Sequence, residues 1–319
     1  MRRAACAFTL ANGRKWRRVG RGMEVYPSEP TAGLKPLLSA LQFDVVRRDP
    51  PFVLYRARAK GASGTMLALA AAGPDASSAA MSRLQHEYSL RSELDAAWAV
   101  RALDLVRVDG VPMLLLEDPR GESLDRLVGR PMALTRFLRI AVGFSAALAR
   151  LHARGIIHKD IRPANVVVDL DTGAVRLFGF GLASRAPRER PFPGGAASAE
   201  ASLAYMAPEQ TGRIHRSVDS RTDLYSAGVV LYQMLTGVLP FDAQDPLEWA
   251  HSHVARTPVS PRERRPEIPP VLSGIVMKLL SKASDERYQT AAGLESDLER
   301  CLAQWRTVAR IDEIGRAHV

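Results

Sequence analysis

Ile157-His158-Lys159-Asp160-Ile161-Arg162-Pro163-Ala164-Asn165-Val166-Val167-Val168 is the stretch on which the reading of this chain turns. An acid, a basic residue two positions later and an Asn five positions after the acid lie between an amphipathic run and three valines. A carboxylate can orient a hydroxyl, a cation can face a moving phosphate and an Asn can supply a metal ligand. The spacing therefore suits phosphoryl transfer. Just upstream, Leu134 to Arg154 carries Phe137, Ile140, Phe144, Leu148 and Leu151 at helical spacing and stops before Gly155, a glycine placed to end a helix. Just downstream, Val166 to Asp169 and Ala174 to Phe178 predict a small hairpin across Asp171-Thr172-Gly173.

Working outward, Phe43 to Val46, Phe52 to Arg58 and Thr65 to Ala70 are short apolar or alternating runs, which predict three antiparallel strands. Ala80 to Leu94 has the period of a helix and carries Glu87. Val100 to Val108 and Val111 to Leu116 predict two more strands joined at Asp109-Gly110. After Ser123 helices dominate, at Arg221 to Leu235, Pro246 to Val254, Val271 to Leu280 and Ala291 to Ala303. Ser184 to Ser202, rich in Ala, Pro, Gly and Arg, reads as a mobile loop. Five strands with one helix followed by a larger helical part define an α+β architecture.

At 319 residues and 46% hydrophobic content the chain can bury a large core. Cys6 and Cys301 lie at opposite ends, so neither a disulfide framework nor a zinc site is expected, and a reducing cytoplasm fits. No apolar run reaches the roughly 20 residues of a membrane span, and Met1 to Gly20 lacks the apolar core of a signal peptide. The net charge of +10 owes seven positive charges to the residues before Met23, which argues against a nucleic-acid surface on the folded part. Residues 1–38 read as a disordered lead-in, with Met1 or Met23 as the start.

Further motifs keep company with Asp160. Ala207-Pro208-Glu209, then Asp223-Leu224-Tyr225-Ser226-Ala227-Gly228, then Leu235 to Phe241, then Asp285-Glu286-Arg287-Tyr288 fall in an order that resembles the protein kinases of the Ser/Thr type. The runs Leu203 to Arg213 and Ser217 to Asp223 are similar to the kinase-like domain that opens large bacterial sensor proteins, where an ATPase module, a GAF domain and a histidine kinase follow. The resemblance covers roughly residues 41 to 303. It implies a bilobed protein-kinase-like fold, with residues 39–118 as the small β lobe and 119–303 as the helical lobe; residues 304–319 read as a truncated or artefactual tail, because Glu313 to Val319 resembles a translated sequencing adapter.

The resemblance also implies roles: Asp160 as base, Arg162 as the cation facing phosphate, and Ser202 as a hydroxyl against the catalytic acid. Leu54, Leu116, Glu117, Asp118 and Asn165 would meet a nucleotide, and Asn165 a metal as well. Glu209 would pair with Arg287, His158 with Phe180 would form an internal spine, and Glu87 and Asp223 would be structural. ATP and Mg²⁺ are the implied cofactors, and a protein is the implied substrate or partner.

Three departures stand against that pattern. Arg47, Asp49 and Phe52 fill the three glycine positions of the phosphate-covering loop, and side chains there keep backbone amides from closing over a triphosphate. Ala70 stands where the third strand should offer a lysine; Lys60 is the alternative amine, and none follows until Lys159. Gly179, in Leu177-Phe178-Gly179-Phe180-Gly181, replaces the metal-binding Asp. The sequence thus predicts a degenerate kinase-like signalling module, with an active Ser/Thr kinase of atypical nucleotide and metal use as the alternative. His251 and His253, two apart on a helix, read as surface or satisfied core residues rather than metal ligands.

Overall fold

The computed structural model describes residues 41–59, 64–72, 78–108, 110–119, 121–185, 200–213, 217–308 and 310–311. The expected lead-in, Lys60, the tip at Asp109, most of the loop after Ser184 and the last residues lie outside these. The chain divides into two compact units, one of residues 1–88 and 101–118, the other of residues 89–100 and 119–319. No helix among the described residues is long and apolar enough to cross a membrane.

The first unit is built on an antiparallel sheet in the order β1-β2-β3-β5-β4. Its strands are β1 (Leu41–Asp49), β2 (Phe52–Ala59), β3 (Thr65–Ala71), β4 (Ala102–Val108) and β5 (Val111–Glu117), with helix α1 (Ser78–Ser89) after β3. Register follows the apolar residues: Leu54 faces Leu69, Val53 faces Ala70, and Leu67 faces Leu116. Helix α1 buries Ala80, Leu84 and Glu87 and holds the Arg83 guanidinium over the Phe52 ring, 5.1 Å from its centroid. Strands β1 and β2 stay paired to their ends, Asp49 opposite Phe52, so that Pro50 and Pro51 alone make the turn, through a cis peptide bond.

The second unit holds a small sheet, β6 (Glu122–Ser123), β7 (Val166–Val168) and β8 (Val175–Leu177), and helices α2 (Leu134–Ala153), α3 (Glu200–Leu203), α4 (Ser220–Thr236), α5 (Pro246–Ala255), α6 (Pro261–Arg264), α7 (Pro270–Leu279) and α8 (Ala291–Val308). Helix α2 buries the predicted stripe from Phe137 to Leu151. Its chain then turns at Gly155, φ +68°, where a side chain would have room but the backbone favours glycine.

Helix α4 is buried nearly all round, as a helix apolar on every face must be. Asp219 caps it, accepting from the Arg221 N–H at 2.9 Å while Thr222 Oγ1 accepts from the Asp219 N–H at 3.3 Å. A Cβ at Gly228 would lie 2.7 Å from Leu279 Cβ, so this glycine lets α4 and α7 touch. Helix α8 continues to Val308, past the predicted end at Ala303 and into the stretch assigned to a tail. The reason is Trp305, which packs on the core and donates its indole N–H to Thr135 Oγ1 at 2.9 Å.

Candidate active site

The loop from His158 to Asn165 is fixed from below by one carboxylate. Asp223, fully buried in the first turn of α4, accepts the backbone N–H of His158 through Oδ2 and that of Lys159 through Oδ1, each at 2.8 Å. His152 Nε2, from the last turn of α2, lies 2.9 Å from Oδ2. Burial opposes ionisation of Asp223, but the hydrogen bond and charge of His152 hold its carboxyl below the usual range. These bonds keep Lys159 in the left-handed region, φ +66°, a conformation that persists in a non-glycine residue only when its surroundings over-determine it. Gln210 adds to this by donating to the Lys159 carbonyl at 2.8 Å.

His158 is fully buried. Its Nδ1 accepts from the Asp160 N–H at 3.3 Å and its Nε2–H donates to the Phe178 carbonyl at 3.0 Å, the bonds of one neutral tautomer. Burial lowers its pKa accordingly. Its ring meets that of Phe180 in a tilted contact, centroids 4.8 Å apart and planes at 50°.

Three side chains close on Asp160. Ser202 Oγ, in α3, donates to Oδ1 at 3.0 Å, and Asn165 Nδ2 donates both to Oδ2 at 3.0 Å and to the Asp160 carbonyl at 2.9 Å. Arg162 Nε lies 3.4 Å from Oδ1. Both carboxylate oxygens are therefore engaged, and Arg162, only 8% exposed, is turned onto the acid as an ion pair. A cavity of about 90 Å³ opens beside this group, lined by Lys159, Asp160, Ser202, Tyr205 and Met206 among others.

Gly179 sits directly against Asn165. It has φ +82°, and a Cβ there would lie 3.0 Å from Asn165 Oδ1 and 3.2 Å from Nδ2. The space a side chain would need is taken by the amide that bonds Asp160. Mg²⁺ asks for near-octahedral oxygen ligands, usually including carboxylates. Here Asp160 is hydrogen-bonded at both oxygens, Asn165 offers one amide oxygen and Gly179, where a carboxylate would be needed, offers none. The donor set does not fit the ion.

Behind the loop, Glu209 and Arg287 form a bidentate ion pair at 2.7 and 2.9 Å, nearly free of solvent, and Thr222 Oγ1 donates to the same carboxylate at 2.8 Å. Arg287 also donates to the carbonyls of Ser281, Lys282 and Arg221. His253 is fully buried too. It accepts the Tyr225 hydroxyl at Nδ1, 3.1 Å, and donates from Nε2 to the Leu203 carbonyl, 3.0 Å, which makes it a satisfied core residue. Burial pushes its pKa down to about 4.

In the first unit the residues expected to meet nucleotide have other partners. Leu54 and Leu116 are buried in β2 and β5. Glu117 accepts from Arg101 Nε at 3.1 Å and also from its Nη2, and its own N–H donates to the Arg101 carbonyl at 3.0 Å. Asp118 accepts from Arg56 Nε at 2.8 Å and from Thr65 Oγ1 at 2.5 Å. Ala70 is buried between Val53 and Met113. Arg47 lies 3.8 Å from Asp49, and neither proline of the turn between them and Phe52 has an N–H to offer a phosphate. Glu87 is buried on α1. The sequence reading missed His152 and Gln210, which steady the loop; a His in the last turn of α2 was visible, but nothing local marked its partner.

A five-stranded antiparallel sheet with one helix, and a helical unit presenting an Asp-Asn loop above a buried Asp, define a domain of the protein-kinase type. The protein kinase domain family matches residues 59–298, and the chain belongs to that family. Similar proteins include the serine/threonine-protein kinase PknB of Mycolicibacterium smegmatis, 36% identical over 60% of this chain and 30% of that protein. A probable serine/threonine-protein kinase of Streptomyces coelicolor is 36% identical over 60% of this chain and 28% of its own length. One from Clostridium perfringens is 32% identical over 68% and 31%. The chain thus spans about a third of the length of the curated relatives it matches.

Proposed function

We propose that this Ser/Thr protein kinase-like domain serves as a degenerate signalling module, a pseudokinase that acts through its shape on a protein partner rather than by efficient phosphoryl transfer. The observation that carries this reading is the closed group at Asp160: Asn165 is folded onto the acid through the space beside Gly179, where a metal-binding carboxylate would otherwise stand. The phosphate-covering turn without amide donors and the buried Ala70 argue the same way. Candidate partners are modules downstream in a longer protein, an ATPase module, a GAF domain and a histidine kinase, in a cytoplasmic setting.

A second reading, an active Ser/Thr kinase with atypical nucleotide and metal use, draws on the same loop. Asp160, Arg162, Asn165 and Ser202 are assembled, and Asp160 faces a cavity able to admit a hydroxyl group. Transfer of radiolabel from ATP to the protein and to generic acceptor proteins, with Mg²⁺ or Mn²⁺, separates the two. The pseudokinase reading expects no transfer above that of Asp160→Asn. Transfer that disappears in this variant overturns it.

A further inference from the structure

Away from Asp160, the second unit carries a groove of about 340 Å³ between α2, the turn after β7 and α8. Its floor is apolar, with Val142, Ala146, Val175 and Leu302. One wall is held firmly. A Cβ at Gly143 would overlap the Gly173 carbonyl oxygen, so the turn sits directly on α2, and Arg139 Nη2 donates to the Asp171 carbonyl. Asp169 Oδ1 braces the turn from within by accepting the N–H groups of Asp171 and Thr172 at 3.0 and 3.1 Å.

Three guanidinium groups line the groove, those of Arg139, Arg150 and Arg306. Arg139 is committed to the turn. Arg150 acts on Glu295 without a direct ion pair, and Arg306 has no ion pair or hydrogen bond among the described residues. An apolar floor of this volume takes side chains rather than a single ion, and spare arginine donors beside it favour carboxylates.

We propose that this groove docks a peptide segment of a partner protein in which apolar side chains alternate with acidic ones. The apolar side chains occupy the floor, and the acidic ones meet Arg150 and Arg306. This stands whether or not Asp160 supports catalysis, because none of these residues belongs to the loop around it.

Fluorescence polarisation tests it, using the full chain and a short fluorescein-labelled peptide that alternates leucine with glutamate. Saturable binding that weakens with added salt is expected, with a loss of about tenfold or more in the double variant Arg150→Glu/Arg306→Glu. A lysine-for-glutamate peptide should regain affinity for that variant. Circular dichroism melting confirms that the variant is folded. The proposal fails if no saturable binding occurs, if the folded variant binds the acidic peptide equally well, or if glutamine-for-glutamate or serine-for-leucine peptides bind as tightly. It fails too if an RNA oligonucleotide, and not the peptide, binds through the two arginines. Because no nucleotide enters the assay, its outcome is independent of the phosphoryl-transfer test.

Discussion

Gly179→Ala probes the closed group at Asp160 directly. The backbone there is left-handed, φ +82°, which costs a side-chain-bearing residue about 1–2 kcal/mol. The added Cβ meets Asn165 Oδ1 at 3.0 Å and its Cγ at 3.1 Å, so the amide must move. Moving it endangers two hydrogen bonds to Asp160, each contributing about 0.5–1.5 kcal/mol. The expected loss is about 2–5 kcal/mol, read by urea denaturation. In an Asn165→Ala background the clash and the bonds are gone, and the same substitution should then lose only the backbone part. The double-mutant cycle should accordingly show coupling of about 1–3 kcal/mol. A Gly179→Ala protein within about 0.5 kcal/mol of the parent, or a cycle with no coupling, would refute the packing of Asn165 into this space.

Other sites give independent tests. Glu209→Ala strands the Arg287 guanidinium in the interior and should lower stability by about 3–5 kcal/mol by urea denaturation, whereas Glu209→Leu with Arg287→Met should recover much of that loss. Gly228→Ala drives a methyl group into Leu279 and should lose about 1–3 kcal/mol on the same measurement, a neutral result placing α4 and α7 further apart than described. His253 has a folded-state pKa of about 4, below the ordinary 6.5, so the unfolded chain binds more protons between those values and stability must fall as pH drops through that window. The loss from this residue alone should be about 2 kcal/mol at pH 5, and His253→Gln should flatten the stability profile between pH 7 and 5.

What the sequence revealed depended on how local the cause was. Asp160, Asn165 and the valines after them sit within one short stretch, and the helical period of Phe137 to Leu151 is read from neighbours in the chain, so loop, helix and hairpin were all legible. Asp223 and Glu209 were legible as members of spaced motifs. His152 and Gln210 were not, because each steadies the loop through a polar contact with a residue 71 or 51 positions away. The end of α8 was misjudged because Trp305 finds its partner Thr135 only in the folded chain, 170 residues distant. The engagement of Glu117 and Asp118 by arginines likewise depends on strand register, which sequence period does not supply. Gly179 announced a lost carboxylate, yet only the structure shows that Asn165 has taken up its space.

The central claim, that the group around Asp160 does not hold a metal-nucleotide complex, is tested most directly by calorimetric titration of the chain with ATP in the presence and absence of Mg²⁺. Binding that is absent, or present but unchanged by the ion, is the predicted result. Saturable ATP binding that tightens strongly with Mg²⁺ and is lost in Asn165→Ala would contradict it.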